Sequence, residues 1–247
     1  MSAMNDIDDS EDRIESPDAL FRTAVLFESG LGLLAIGLGV LFGPDARQYL
    51  PRLEDQPWWD LAVGVGGGLV AAVPMWGLVT LVRRLPFEAV RELERVGDEG
   101  LFRLLMQLSV PEMLVVSLAA GVGEELLFRG WLLPAVAGVT DWILTGAAAA
   151  GTDATVAMAN PVAVAAAVIV SSIAFGLVHP ITKLYVVLAA AIGLYLAALM
   201  LWTGNLLIPI VAHAAYDAIQ MIVAKAQKDR PTEQQTAGVV AADKDRD

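Results

Sequence analysis

The chain has 247 residues, of which 56% are hydrophobic, and its formal net charge is −12. Soluble domains are usually about 45–50% apolar, so the excess apolar content indicates a membrane protein. The length fits one membrane domain with short tails better than two soluble domains. The acidic balance argues against nucleic acid as a partner. Because the sequence contains no cysteine, disulfides and thiolate metal sites are excluded.

Both ends of the chain are polar. Residues 1–20 are rich in Asp and Glu, lack an apolar face and are predicted to be a disordered acidic tail. They also lack the basic start of a signal peptide. Residues 227–247 mix both charges with Pro231 and Gly238, and we predict a second disordered tail there. The membrane-embedded domain is therefore predicted to occupy residues 21–226.

Six segments between the tails are long and apolar enough to cross a bilayer, which takes roughly 20 residues of helix. They are approximately residues 22–42, 61–82, 111–134, 161–179, 184–202 and 205–224. A chain within lipid must satisfy its own backbone hydrogen bonds, so these segments are predicted to be helices. The predicted fold is an all-α, polytopic transmembrane helical bundle.

The basic residues predict the orientation of the bundle. If the N-terminus is cytoplasmic and six spans follow, thirteen Lys and Arg residues lie in cytoplasmic segments, against Arg47 and Arg52 outside. Basic residues are enriched on the cytoplasmic side of membrane proteins. We therefore predict a multi-pass protein of the cell membrane, in contact with lipid, with both termini cytoplasmic.

Two further regions do not fit simple spans. Residues 87–107 alternate apolar and charged side chains at helical spacing, which predicts an amphipathic helix on the inner surface or beneath the bundle. Residues 131–161 are apolar but interrupted by Asp141 and Asp153, and can form a re-entrant segment or an extra helix. The count would then rise to seven or eight. Six is preferred because one more span would place the basic C-terminus outside.

Ionisable side chains within spans are the candidates for chemistry, since each costs roughly 2.5–3.5 kcal/mol on insertion scales. They are Glu124, Glu125, Arg129, His179, His213 and Asp217. Glu28 also lies within the first span, near enough to its start to extend toward the inner surface, and the sequence assigns it no role.

The spacing of the acidic and basic residues separates a pair from an unpaired acid. Glu125 and Arg129 are four apart, so they share a helix face and can pair. Glu124 points about 100° away from that face and lacks this partner, which makes it a candidate general base. The simpler alternative is a helix start at the membrane interface, where adjacent acids are common.

The two histidines extend this pattern. His213 and Asp217 are also four residues apart, and the only other histidine, His179, ends another apolar segment. One buried histidine is most simply a hydrogen-bonded core residue, but two histidines accompanied by polar groups predict one site. Three chemistries stay open. A carboxylate and an imidazole can activate water while the other imidazole polarises a carbonyl. Glu124, His179, His213 and Asp217 can bind zinc, or the groups can form a proton or ion pathway.

Three motifs together resemble those of the CAAX protease and bacteriocin-processing family. They are Glu-Glu-x-x-x-Arg from Glu124 to Arg129, Phe-x-x-x-His from Phe175 to His179, and His-x-x-x-Asp from His213 to Asp217. The family includes the type II CAAX prenyl endopeptidase and abortive-infection-like membrane proteins. The resemblance covers about residues 111–224.

The resemblance implies a role for each motif residue. Glu124 and His179 would activate the attacking water, and His213 and Asp217 would stabilise the oxyanion. Glu125 and Arg129, supported by Phe175, would hold the structure or orient the substrate. The best-studied branch has Asn where this chain has Asp217. A deprotonated Asp cannot donate a hydrogen bond to an oxyanion, so the substitution keeps zinc as an alternative, although no cofactor is favoured.

The predicted function is that of an intramembrane peptidase that hydrolyses a peptide or protein substrate without a covalent intermediate, and a prenylated substrate is one candidate. Alternatives are a zinc-dependent peptidase, a non-catalytic protein of the same fold in binding or bacteriocin-type immunity, and an ion-coupled transporter. One geometric difficulty remains. Glu124 is predicted roughly 20 Å above the start of its span, whereas His179 ends its own span on the cytoplasmic side. The two side chains can meet only if a helix starts earlier, tilts or breaks.

Overall fold

A computed structural model describes residues 16–51, 57–97, 100–146 and 159–229. All regular secondary structure within these ranges is helical, which confirms the predicted fold class. The elements are α1 (Pro17–Phe42), α2 (Pro57–Arg83), α3 (Glu88–Gly97), α4 (Gly100–Leu105), α5 (Val110–Glu125), a π-helical segment (Leu126–Leu132), α6 (Leu133–Thr145), α7 (Pro161–Leu177), α8 (Lys183–Thr203) and α9 (Leu207–Lys228).

Four of the described helices, α1, α2, α8 and α9, are long and apolar enough to cross a membrane. Helix α7 is apolar but has only 17 residues. The predicted third span, residues 111–134, is not one α-helix, because α5 passes into the π-helical segment and then into α6. Large apolar side chains such as Leu26, Phe27 and Val70 point outward, as expected for helices that face lipid. The polytopic bundle is confirmed, while the number of crossings and the orientation stay predictions.

The boundaries of the tails differ from the prediction. Helix α1 already begins at Pro17, because the Ser16 side chain accepts a hydrogen bond from the Ala19 amide and proline suits the first helical turn. Helix α9 continues to Lys228, and Lys225 Nζ donates to the Met106 carbonyl at 2.8 Å. The remaining predicted tails, residues 1–15 and 230–247, lie outside the described residues.

The two irregular regions are partly described. Residues 87–107 contain α3 and α4 in place of one helix, and α4 begins at Gly100, whose φ of +52° is a left-handed conformation that glycine adopts readily. In the region 131–161, residues 131–145 are helical and residues 147–158 lie outside the described ranges. The buried Asp141 accepts a hydrogen bond from Asn160 Nδ2 at 2.7 Å, which joins α6 to the start of α7.

Glycines on α5 bring three helices close together. A Cβ atom on Gly121 would collide with the Ile210 carbonyl of α9, and one on Gly123 would collide with the Glu28 carbonyl of α1. The absence of side chains at these positions lets the backbones pack directly. The end of α5 that carries Glu124 therefore lies between α1 and α9.

Candidate active site

The six ionisable residues predicted from the sequence come together at the centre of the bundle. Helix α5 supplies Glu124 and Glu125, the π-helical segment supplies Arg129, the turn after α7 supplies His179, and α9 supplies His213 and Asp217. Ion-pair contacts connect them in two groups. Glu124 contacts His179, while Glu125 contacts Arg129 and His213, and His213 in turn contacts Asp217.

The predicted Glu125–Arg129 pair is formed. Arg129 Nη1 donates to Glu125 Oε1 at 2.6 Å, and neither side chain is exposed. Arg129 Nη2 donates to the Gly193 carbonyl of α8 at 3.0 Å. Burying either charge alone would be costly, and the pair with its added hydrogen bond reduces that cost.

Arg129 lies in the π-helical segment, where the Leu133 amide bonds to the Phe128 carbonyl five residues earlier. This segment is fastened to the end of α1. Trp131 Nε1 donates to the Gly43 carbonyl at 3.1 Å, and Gly130 has no room for a Cβ beside the Ala46 carbonyl. Short π-helical turns occur frequently at functional sites, and this one positions the buried guanidinium.

His213 lies between two carboxylates. Its Nδ1 is 2.9 Å from Glu125 Oε1, the same oxygen that binds Arg129, and its Nε2 is 3.4 Å from Asp217 Oδ2. Glu125 therefore orients His213 as well as Arg129, which the sequence did not reveal. The longer contact to Asp217 leaves Nε2 as the nitrogen that can turn to a substrate.

Glu124 and His179 face each other across a gap. Glu124 Oε2 is 3.7 Å from His179 Nε2, too far for a hydrogen bond, and this buried oxygen has no hydrogen-bond partner among the described residues. His179 Nδ1 donates to the Phe175 carbonyl at 2.7 Å, so a neutral His179 presents an unprotonated Nε2 to Glu124. A carboxylate and an imidazole lone pair are thus aimed at one point.

The geometric difficulty raised by the sequence is resolved by the short α7. This helix ends at Leu177, and the turn through Pro180 that follows it brings His179 to the level of Glu124. At about 1.5 Å per residue, 17 residues span about 25 Å, less than the hydrocarbon core. The predicted boundary at residue 179 was therefore close, but the helix does not reach as far across a membrane as a full span.

The Phe175 ring joins the two groups. Its centroid is 4.8 Å from the His179 ring and 5.7 Å from the His213 ring, and Arg129 Cζ lies 4.3 Å from it. The guanidinium over the ring face is a cation–π contact. This aromatic side chain fixes the relative positions of both imidazoles.

One family model covers the six ionisable residues of the site and Phe175. It is described as Type II CAAX prenyl endopeptidase Rce1-like, and it matches residues 106–219. Residues 106–219 match the CAAX protease family. The matched segment begins just before α5 and ends within α9, so α1 and α2 lie outside it. Comparisons with curated proteins and with solved structures returned no match.

The residues of this site differ in their exposure. Glu125, Arg129, Glu124 and His213 are buried, whereas the side chains of His179 and Asp217 are 22% and 31% exposed. A substrate can therefore approach on the side formed by His179 and Asp217, whereas the Glu125–Arg129 pair is closed off from it.

One acidic residue near this site was given no role by the sequence. Glu28 of α1 was expected to extend toward the membrane surface, but its Oε2 is buried without a hydrogen-bond partner. The carboxyl interacts electrostatically with His213 and Asp217. The available signal was the presence of an acid in an apolar span.

The contacts within the site are pairwise. In the part of the chain that the structure describes, no three His, Asp or Glu side chains are grouped to hold one metal ion. The residues considered as zinc ligands (Glu124, His179, His213 and Asp217) therefore do not form a ligand set in this arrangement.

Proposed function

We propose that this protein is an intramembrane endopeptidase in which Glu124 and His179 activate water for hydrolysis of a peptide bond. The observation that carries this proposal is the facing pair Glu124 Oε2 and His179 Nε2, 3.7 Å apart, with the His179 ring held by its hydrogen bond to the Phe175 carbonyl. General base catalysis requires a basic group within hydrogen-bond reach of the proton it removes, directly or through water.

The proposed reaction begins with one water bound between these two groups. Glu124 takes a proton from the water while the water oxygen forms a bond to the substrate carbonyl carbon. The electron pair of the C=O bond moves onto the carbonyl oxygen. His179 Nε2 accepts a hydrogen bond from the same water. The C–N bond then breaks, and the proton held by Glu124 passes to the departing nitrogen.

The developing oxyanion requires a hydrogen-bond donor. His213 supplies one as an imidazolium, the form in which both ring nitrogens carry a proton: Nδ1–H donates to Glu125, and Nε2–H is left for the oxyanion. Asp217 lies 3.4 Å from that nitrogen and acts by orienting the ring, a task that an ionised carboxylate can perform. Asp217 therefore does not need to donate a hydrogen bond itself, because His213 alone can donate to the oxyanion.

The substrate is proposed to be a peptide or protein that reaches the site from the membrane, with a prenylated C-terminal segment as the first candidate. The support is the family match and the exposed edge at His179 and Asp217.

The test is cleavage of a fluorogenic prenylated peptide by detergent-purified protein, with and without a chelator. Glu124→Ala and His213→Ala are expected to lower kcat by about 10²–10⁴-fold, since each removes a group that acts in the transition state. Asp217→Asn is expected to stay within about threefold of the parent, because the amide oxygen can still accept from His213. Asp141→Asn is the matched control, a buried acid that bonds to Asn160 outside the site.

Each other outcome has a distinct meaning. Full activity of Glu124→Ala contradicts the proposal. Loss of activity in chelator with recovery on adding zinc supports the zinc-dependent alternative. Absence of cleavage of both prenylated and unprenylated peptides by the folded parent supports a non-catalytic role in binding or immunity.

A further inference from the structure

Glu28 approaches the site from a helix outside the segment that matches the family. Helix α1 packs against α5 and the π-helical segment. The closest approach is at Gly123, where the Glu28 backbone carbonyl occupies the space that a side chain would need. Gly123 directly precedes Glu124, so α1 brings Glu28 to the same end of α5 as the proposed general base.

The Glu28 carboxyl is not satisfied by this packing. Its Oε2 is buried and has no hydrogen-bond partner among the described residues, and the same holds for Oε2 of Glu124. Leaving a buried carboxyl oxygen unpaired costs free energy, and such groups in folded proteins call for an explanation. Two of them on neighbouring helices near one site have a common explanation if both bind the same ligand.

The surroundings of Glu28 indicate what that ligand is. The groups that interact electrostatically with it are Glu124 of α5 together with His213 and Asp217 of α9. With Glu28 itself, three of these four groups are carboxylates, whose oxygens accept hydrogen bonds. Water suits such a site, because it donates two hydrogens and is typically held by two to four polar partners.

We propose that Glu28 is a further catalytic side chain, which binds the attacking water together with Glu124. This inference rests on the proposed function. One hydrogen of the water is directed to Glu124, which removes it as the C–O bond forms, and the second is shared between His179 Nε2 and the Glu28 carboxylate. Glu28 forms no covalent bond and takes no proton. Its effect is to aim the oxygen lone pair at the substrate carbonyl.

The first test separates kcat from KM in the peptide assay for Glu28→Ala and Glu28→Gln. Misorientation of the water is expected to lower kcat of Glu28→Ala by roughly ten- to hundredfold, with KM within about twofold. Glu28→Gln should recover part of the loss, because its amide oxygen still accepts a hydrogen bond. Ser29→Ala, an exposed neighbour on α1, is the control and should match the parent. A kcat of Glu28→Ala within twofold of the parent, while Glu124→Ala is inactive, overturns the inference and leaves the proposed function intact.

The second test needs no substrate. Glu28→Leu removes an unpaired buried carboxyl, so the Tm of the purified protein in detergent is expected to stay equal or rise, as at sites where function opposes stability. A residue that only supports the fold would lower Tm when replaced. A fall of several degrees relative to Ser29→Ala therefore overturns the inference. This result is independent of the cleavage assay, so it can be read even if full activity of Glu124→Ala has already contradicted the proposed function.

Discussion

The Glu125 carboxylate is the most constrained group of the site. One of its oxygens binds both Arg129 and His213, while the other has no hydrogen-bond partner among the described residues. The guanidinium is also bound to the Gly193 carbonyl and packed over the Phe175 ring. The pair therefore links α5, the π-helical segment, α8 and α9 through a single fully buried charge cluster.

Removing the guanidinium should be strongly destabilising. Arg129→Met leaves Glu125 buried without its positive partner, and breaking a buried ion pair in this way costs about 3–5 kcal/mol. We expect that loss in the free energy of unfolding, measured by denaturant titration in detergent. Arg84→Met changes an exposed arginine and is the matched control.

The double variant Glu125→Gln/Arg129→Met tests the cause. Neutralising both partners removes the uncompensated charge, so this variant is expected to be more stable than Arg129→Met alone. A loss below about 1 kcal/mol in the single variant would contradict the importance of the pair.

For individual side chains, the sequence predicted the contacts that depend on local spacing. The four-residue spacing found both the Glu125–Arg129 pair and the His213–Asp217 contact, because helix geometry fixes which side chains share a face. The Glu125–His213 bond joins residues 88 positions apart and depends on how α5 packs on α9. No local pattern could reveal it, nor could it place Phe175 between the two imidazoles.

Among the elements, the passage from α5 to α6 was the least predictable. The sequence indicated a single apolar span over residues 111–134, and the structure divides it at Glu125 and Leu132. A π-helical turn differs from an α-helical turn in hydrogen-bond register and leaves no clear trace in composition. It depends on tertiary partners such as the Trp131–Gly43 bond, which residue periodicity cannot show.

The close contact of α1 with α5 gives a prediction for an element. Gly123→Ala places a Cβ against the Glu28 carbonyl, so α1 must move away, and overpacking of this kind costs about 1–3 kcal/mol. We expect a lower Tm together with a lower kcat, because the displacement also moves Glu28 away from Glu124.

Gly37→Ala provides the matched control on α1, since a Cβ there meets no atom within 4 Å. Its Tm should equal or exceed that of the parent, because alanine favours a helix over glycine. Equal behaviour of the two variants in thermal unfolding would show that the approach of α1 at Gly123 is unimportant.

For the whole molecule, composition correctly predicted a helical membrane protein, and the basic residues predict which way it faces. The sequence contains no cysteine, so single introduced cysteines report orientation without background labelling. Arg47 follows α1 and Arg84 follows α2, and both side chains are exposed.

We expect a membrane-impermeant maleimide to label Arg47→Cys in intact cells but Arg84→Cys only after the membrane is opened. Both variants should react equally in detergent, which controls for accessibility. The reverse pattern in intact cells would place the N-terminus outside and contradict the predicted orientation.

The packing of α2 against α9 has a consequence for biosynthesis. Helix α2 is made well before α9, yet α9 is its main packing partner among the described helices, and a Cβ on Gly68 would collide with Val211 of α9. At roughly 5–20 residues per second, on the order of ten seconds pass between the synthesis of the two helices. During that interval the surface of α2 that packs on α9 is not yet covered by that helix. A nascent chain that ends before α9 lacks His213 and Asp217 as well, so the bundle closes and the active site is completed in the same late step of translation.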